Sequence, residues 1–220
     1  MRIFHPSVRC FRRMAIPAFL TFSAPLHAGQ DASLRLDLNF SHAFNRDFQS
    51  VSYLFFQAND GMSNFNYNEW GSGVLVRTRK EWLALLFFFQ VGCSKTDNGN
   101  WRSEHRPSVS VVLTKKVRRL QLTNQLRYEY LFGPVGYDYR IKNTAGLSLP
   151  DLPLQPSLGW EMYYEHRDGA VVLHRFKVGI TRKISKHVSI GCYYRMDVAG
   201  PVHARALSRQ LAGFHLSFRC

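Results

Sequence analysis

The stretch LQLTNQLRYEYLF, residues 120–132, alternates: Leu120, Leu122, Leu126, Tyr128, Tyr130 and Phe132 share one face, and Gln121, Thr123, Gln125, Arg127 and Glu129 share the other. A period of two is the signature of a strand, because successive side chains of an extended chain point to opposite sides. The same division recurs on either side of it. Leu158, Trp160, Met162 and Tyr164 oppose Glu161, Tyr163, Glu165 and Arg167; Val172, His174, Phe176, Val178 and Ile180 oppose Arg175, Lys177 and Thr181; Ile190, Cys192, Tyr194 and Met196 oppose Tyr193, Arg195 and Asp197. Soluble sandwiches also alternate, but their polar face is usually a water-facing mixture, not Arg, Glu and Tyr strand after strand. A barrel with an apolar exterior and a charged interior accounts better for the pattern.

Strands are predicted near 48–58, 69–78, 82–93, 101–116, 120–132, 137–148, 156–167, 170–184, 187–198 and 207–219. Connections near 59–68, 94–100, 133–136 and 199–206 are rich in Gly, Asn, Asp or Pro, whereas Arg79-Lys80-Glu81, Val117-Arg118-Arg119 and Ser185-Lys186 are very short. Long and short mostly alternate, as they do between the two sides of an outer-membrane barrel. The tight Asp168-Gly169 and the longer Pro150 to Pro156 break the rule. The expected fold is therefore all-β: a transmembrane, up-and-down antiparallel barrel of about ten strands over residues 48–220, with both ends on the periplasmic side. Residues 29–47 stay outside this count, although Leu34, Leu36, Leu38 and Phe40 alternate with Arg35, Asp37, Asn39 and Ser41 and could be another strand, making eleven, so that this stretch either lies outside the barrel or implies a twelfth strand hidden in these divisions.

Composition agrees with a membrane barrel and excludes several other classes. Seventeen Phe, ten Tyr and four Trp suit strands and membrane-interface belts. The longest apolar run, Leu83 to Phe89, is far short of the ~20 residues a spanning helix needs, and a closed barrel is the other fold that satisfies every backbone group in lipid. Arg2, Arg9, Arg12 and Arg13 precede the apolar Met14 to Leu20, and Leu26-His27-Ala28 fits a cleavage site, so residues 1–28 read as a signal peptide. The formal charge is +14, and +10 without that segment. The basic residues are scattered singly along strands with no nucleic-acid-binding module, which argues against a nucleic-acid partner. Cys93, Cys192 and Cys220 have no metal-site spacing, and no cofactor is indicated.

By parity the inward set is Glu104, Arg106, Arg127, Glu129, Asp138, Arg140, Lys142, Glu161, Glu165, Arg167, Arg175, Lys177, Arg195 and Asp197. In a narrow barrel such side chains pack the interior as a salt-bridge network, and the excess of cations favours anions in any channel that remains. Trp70, Trp82, Trp101 and Trp160 read as belt or outward residues, and His166, His187 and His203 as surface residues. Two other readings compete. His215 and Ser217 share a face and suggest an outer-membrane lipid-modifying enzyme, although no full catalytic constellation accompanies them. A soluble periplasmic barrel of the lipocalin kind has the same alternation with its faces exchanged.

From Asn124 onward the texts NQLRYEYLFG, YDYRIKNTAGLSLP, GWEMYYEHRDG and HRFKVGITRKISKHVSIGCYYRMD, with NEWGSGVL and NWRSEHRP before them, resemble the bacterial family catalogued as domain of unknown function 2490. The resemblance covers residues 48–220 and implies a barrel in the outer membrane, in contact with its lipid and inserted by the barrel-assembly machinery, without an assigned reaction. Ala212, Phe214, Leu216 and Phe218 form the alternating last strand that this machinery reads, with Cys220 where an aromatic residue is usual.

Overall fold

In a computed structural model, residues 32–59, 64–96, 98–134, 136–200 and 209–220 are described; the signal segment 1–28 and His203 lie outside them. Eleven strands follow one another: β1 Ala32–Ala43, β2 Phe48–Asn59, β3 Asn64–Arg77, β4 Leu83–Lys95, β5 Trp101–Val117, β6 Leu120–Gly133, β7 Gly136–Ser148, β8 Leu154–Glu165, β9 Ala170–Lys183, β10 Val188–Ala199 and β11 Arg209–Arg219. Each pairs antiparallel with its neighbour in sequence, and β1 closes the barrel against β11.

The expected count of ten is corrected by β1. The alternation of residues 34–41 belongs to a true strand, in register with β2 from Leu34↔Ala58 to Ala43↔Gln49. An odd count makes the first and last strands run the same way, so the β1–β11 seam is parallel over Ala32↔Gln210 to Ser41↔Arg219. Parallel ladders are slightly less stable per residue than antiparallel ones, but closure removes the two unpaired edges that a ten-stranded open sheet would leave. The two chain ends of the barrel consequently lie at opposite rims, not on one side. The rim where β1 begins is called the N rim below, and the rim where β11 ends the C rim. A second correction concerns the stretch near 59–68: β3 starts at Asn64, opposite Asn59 of β2, with a bulge at Gln57/Ala58, so half of the expected long loop is strand. Trp70 therefore sits midway along β3 and not at a strand end.

The C-rim turns are tied by local hydrogen bonds. Asn45 Oδ1 accepts the backbone N–H groups of Asp47 and Phe48, both at 2.8 Å, and Ser185 Oγ accepts those of His187 at 3.2 Å and Val188 at 3.1 Å. Such side-chain acceptors stand in for backbone partners where the chain reverses. The two-residue reversal between β5 and β6 places Arg118 at φ 54°, the left-handed region that a tight hairpin demands.

Which face is inside is the question alternation alone leaves open, and the barrel answers it. Outward lie Phe40, Trp70, Phe87, Val109, Leu126, Phe176, Val178, Ile190 and Phe214, all exposed; inward lie Asp37, Glu69, Gln90, Glu129, Arg195 and Asp197, all buried. Several outward polar groups away from the rims satisfy one another: Asn124 Nδ2 donates to Asn143 Oδ1 at 3.0 Å, and the Ser52 and Ser72 hydroxyls lie 2.9 Å apart. By alternation the outward charges Lys115 and Arg182 fall at the C-rim ends of β5 and β9. Inside, large rings lie flat over glycines on neighbouring strands. Phe88 covers Gly71 and Gly73, and Tyr193 covers Gly213, each leaving no space for a Cβ at the glycine. Tyr53 stacks on Phe88 with centroids 5.3 Å apart.

Candidate functional site: a charged lumen

The interior is not uniform along its axis. From the N rim inward, β7 presents Asp138, Arg140 and Lys142, then Thr144, Gly146 and Ser148; β10 presents Asp197, Arg195 and Tyr193, then Gly191 and Ser189; β8 presents Glu165, Tyr163 and Glu161, then Gly159 and Ser157. The registers Glu129↔Arg140, Glu161↔Arg175 and Arg175↔Asp197 align these halves around the wall. Charges and rings therefore fill the half towards the N rim, and small neutral side chains line most of the half towards the C rim.

The charged half is built from four linked groups. Glu69 on β3 accepts from Tyr67 Oη at 2.6 Å, Gln90 Nε2 at 3.0 Å and Arg106 Nη1 at 2.8 Å, and from Tyr53 Oη. Gln90 also accepts Arg127 Nη1 at 3.2 Å through its own oxygen, which joins this group to the next. Glu129, 2% exposed, takes the Arg140 fork through Nε at 2.8 Å and Nη2 at 2.5 Å, with Arg127 Nη1 at 3.4 Å. On the far wall Glu161 meets Lys142 Nζ at 3.0 Å, Arg175 Nη1 at 3.2 Å and Tyr163 Oη at 2.6 Å. The Arg175 fork also grips Asp197 at 2.9 and 3.0 Å. Across the seam, Asp37 bonds the Arg35 guanidinium and accepts Tyr193 Oη at 2.7 Å. The Tyr163 ring lies within 5.2 Å of the cationic heads of Arg140, Lys142 and Arg175, a face a cation favours.

Buried carboxylates so arranged hold their charge by saturating their lone pairs with charged and phenolic donors. Cations outnumber them. The cavity of 1010 Å³ is lined by ten Lys or Arg side chains and six Asp or Glu side chains. Such a surplus, in a low-dielectric wall, draws anions in and repels cations.

Of the fourteen residues expected inside, Arg106, Arg127, Glu129, Arg140, Lys142, Glu161, Glu165, Arg175, Lys177, Arg195 and Asp197 line the cavity. Glu104 reaches it through its ion pair with Arg106. Arg167 does not point into the lumen: β8 ends at Glu165, so Arg167 belongs to the turn, 56% exposed, with its Nε 3.7 Å from Asp138 at the N rim. Sequence reasoning missed Arg35 and Asp37, although their spacing repeats the Arg195/Asp197 pair one seam away. It also missed Tyr53, Glu69 and Gln90, because β2, β3 and β4 carry aromatic residues on both faces and hide their parity. His215 and Ser217 do share the inward face, but His215 Nε2 pairs with Thr181 Oγ1 at 3.0 Å and its ring stacks on Tyr193. Trp160 is outward and stacks on His174; Trp82 and Trp101 lie at opposite rims.

No protein-family model matches the chain, and no curated protein is similar to it.

Proposed function

We propose that this chain is an outer-membrane β-barrel of a Gram-negative bacterium whose charged lumen forms a narrow, anion-favouring passage. The observation that carries this reading is the distribution of side chains between the two faces: the apolar face points out around the whole wall and the ionised face points in. In water that distribution would leave an apolar surface far beyond the few hundred Å² that soluble monomers expose; in a bilayer it is the expected one. The outward polar pairs and the rim position of the outward charges support the same environment. The resemblance to the family named above supports an outer-membrane location with lipid and the assembly machinery as partners. A lipocalin-like carrier of an apolar ligand needs an apolar interior, and the ten cations and six acids of the cavity wall oppose it.

The test is fractionation of the expressed chain, followed by gel migration in detergent with and without heating. The reading expects the protein in the outer-membrane fraction, a shift on heating, and in planar bilayers a reversal potential on the anion side. Protein found soluble in the periplasm without detergent would overturn it.

A further inference from the structure

Most cations in the lumen are hydrogen-bonded to carboxylates, but two neighbours are not. Lys177 and Arg195 are register partners on β9 and β10, and both line the cavity. Arg195 is 5% exposed, and its Nε, though 3.0 Å from Asp197 Oδ1, makes no hydrogen bond. Both Asp197 oxygens receive the Arg175 fork. Lys177 Nζ stands 3.6 Å from the Tyr193 ring centroid, which holds the ammonium in place without neutralising it. Tyr193 in turn is fixed by its hydrogen bond to Asp37. Among the described residues neither cation donates a hydrogen bond to protein.

Burying donors of this strength unsatisfied is unfavourable unless something else meets them. The local charge says what. Arg35, Arg175, Lys177 and Arg195 face Asp37 and Asp197, while Glu161 is matched by Lys142, so the corner keeps a surplus of two positive charges. A guanidinium fork beside a point-charged ammonium fits an oxyanion with several acceptor oxygens. Gly159, the register partner of Lys177, and Gly213, the partner of Tyr193, keep the wall thin there.

We propose that Lys177 and Arg195 form a binding site for a doubly charged tetrahedral oxyanion of the phosphate class inside the barrel. The inference deepens the proposed passage and rests on its anion preference: the corner is where a permeating or captured anion would dwell.

The full chain, folded in detergent micelles, is titrated with inorganic phosphate by calorimetry against chloride at matched ionic strength. Saturable phosphate binding is expected, weakened about tenfold or more by Lys177→Met and by Arg195→Gln, since each removes a charged donor. Lys177→Arg should retain it, and Lys80→Met, with the same loss of charge at an exposed turn, should bind as the parent does. The heat-dependent gel shift of each variant verifies that it has folded. Absence of saturable binding by the parent chain, or unchanged affinity in folded Lys177→Met and Arg195→Gln, would overturn the site. A barrel that inserts in membranes yet ignores phosphate sinks this inference alone; a soluble barrel that binds phosphate through these two residues sinks the passage and leaves the site standing.

Discussion

Val178→Arg is expected to destabilise the folded barrel in a bilayer by about 2–4 kcal/mol, the penalty of an arginine on a lipid-facing strand at the membrane midplane. Val178 is outward, 49% exposed, and lies midway along β9 between Leu158 of β8 and Tyr194 of β10. Leu154→Arg, also outward but at the C-rim end of β8, should lose only about 0–1 kcal/mol, because the side chain reaches the interface. Reversible urea unfolding from lipid vesicles measures both. A barrel that stood in water would show no dependence on depth, since an exposed apolar residue exchanged for arginine on a soluble surface changes stability by roughly 0.5 kcal/mol or less wherever it lies. The depth dependence, more than either value, identifies the solvent of the outer face.

Glu129→Ala should be at least as damaging, by about 3–5 kcal/mol, because it strips the shared acceptor from two arginines that stay buried. Glu129 is 2% exposed and holds Arg140 through two nitrogens and Arg127 through a third. Removing Arg140 as well, in the pair Glu129→Ala with Arg140→Met, should recover part of the loss, since an uncompensated charge is more harmful than an absent pair. Raising the salt concentration should alter these differences little, as buried pairs are weakly screened. Denaturant midpoints of the single and double variants in micelles provide the comparison; a double variant as unstable as the sum of its parts would show that the two residues act independently.

Much of this architecture is legible in the sequence because a strand in a closed barrel has few choices. Residues 120–132 alternate except at Asn124 and Leu131, and β6 spans them with one further residue, Gly133. The face assignments of β6 to β10 follow from the same rule, so eleven of the inward charges could be named from parity. Legibility failed where the local signal was mixed. In β2 and β4, Tyr53, Phe55 and Phe88 face inward while Phe56, Phe87 and Phe89 face outward, so hydrophobicity no longer marks a side. Phe88 is inward because Gly71 and Gly73 on the neighbouring strand make room for its ring, a fact about the partner strand that no single segment carries. The first strand was obscured for another reason. Its alternation is plain, but a strand that pairs with the far end of the chain, across the parallel seam Asp37↔His215, has no hairpin turn to announce half of its pairing, and the even-number expectation weighed against it.

The asymmetry of the lumen was also present in the text, strand by strand, and becomes apparent only when the registers align the strands. Arg140-x-Lys142 gives way to Thr144-x-Gly146, and Asp197-x-Arg195 to Gly191-x-Ser189, in opposite chain directions. Ion pairs therefore gather in one half, where rings and forks lock each other, while small neutral side chains line most of the other.

The most direct measurement of what the apolar outer face meets is tryptophan quenching in a bilayer. With Trp70, Trp82 and Trp101 replaced by Phe, Trp160 remains as a single reporter, outward and midway along β8 beside Phe176. Lipids brominated deep in their acyl chains should quench it strongly, and iodide in the aqueous phase should hardly reach it. Strong quenching by iodide with no response to brominated lipid would contradict the account, since the apolar face of the barrel would then be meeting water.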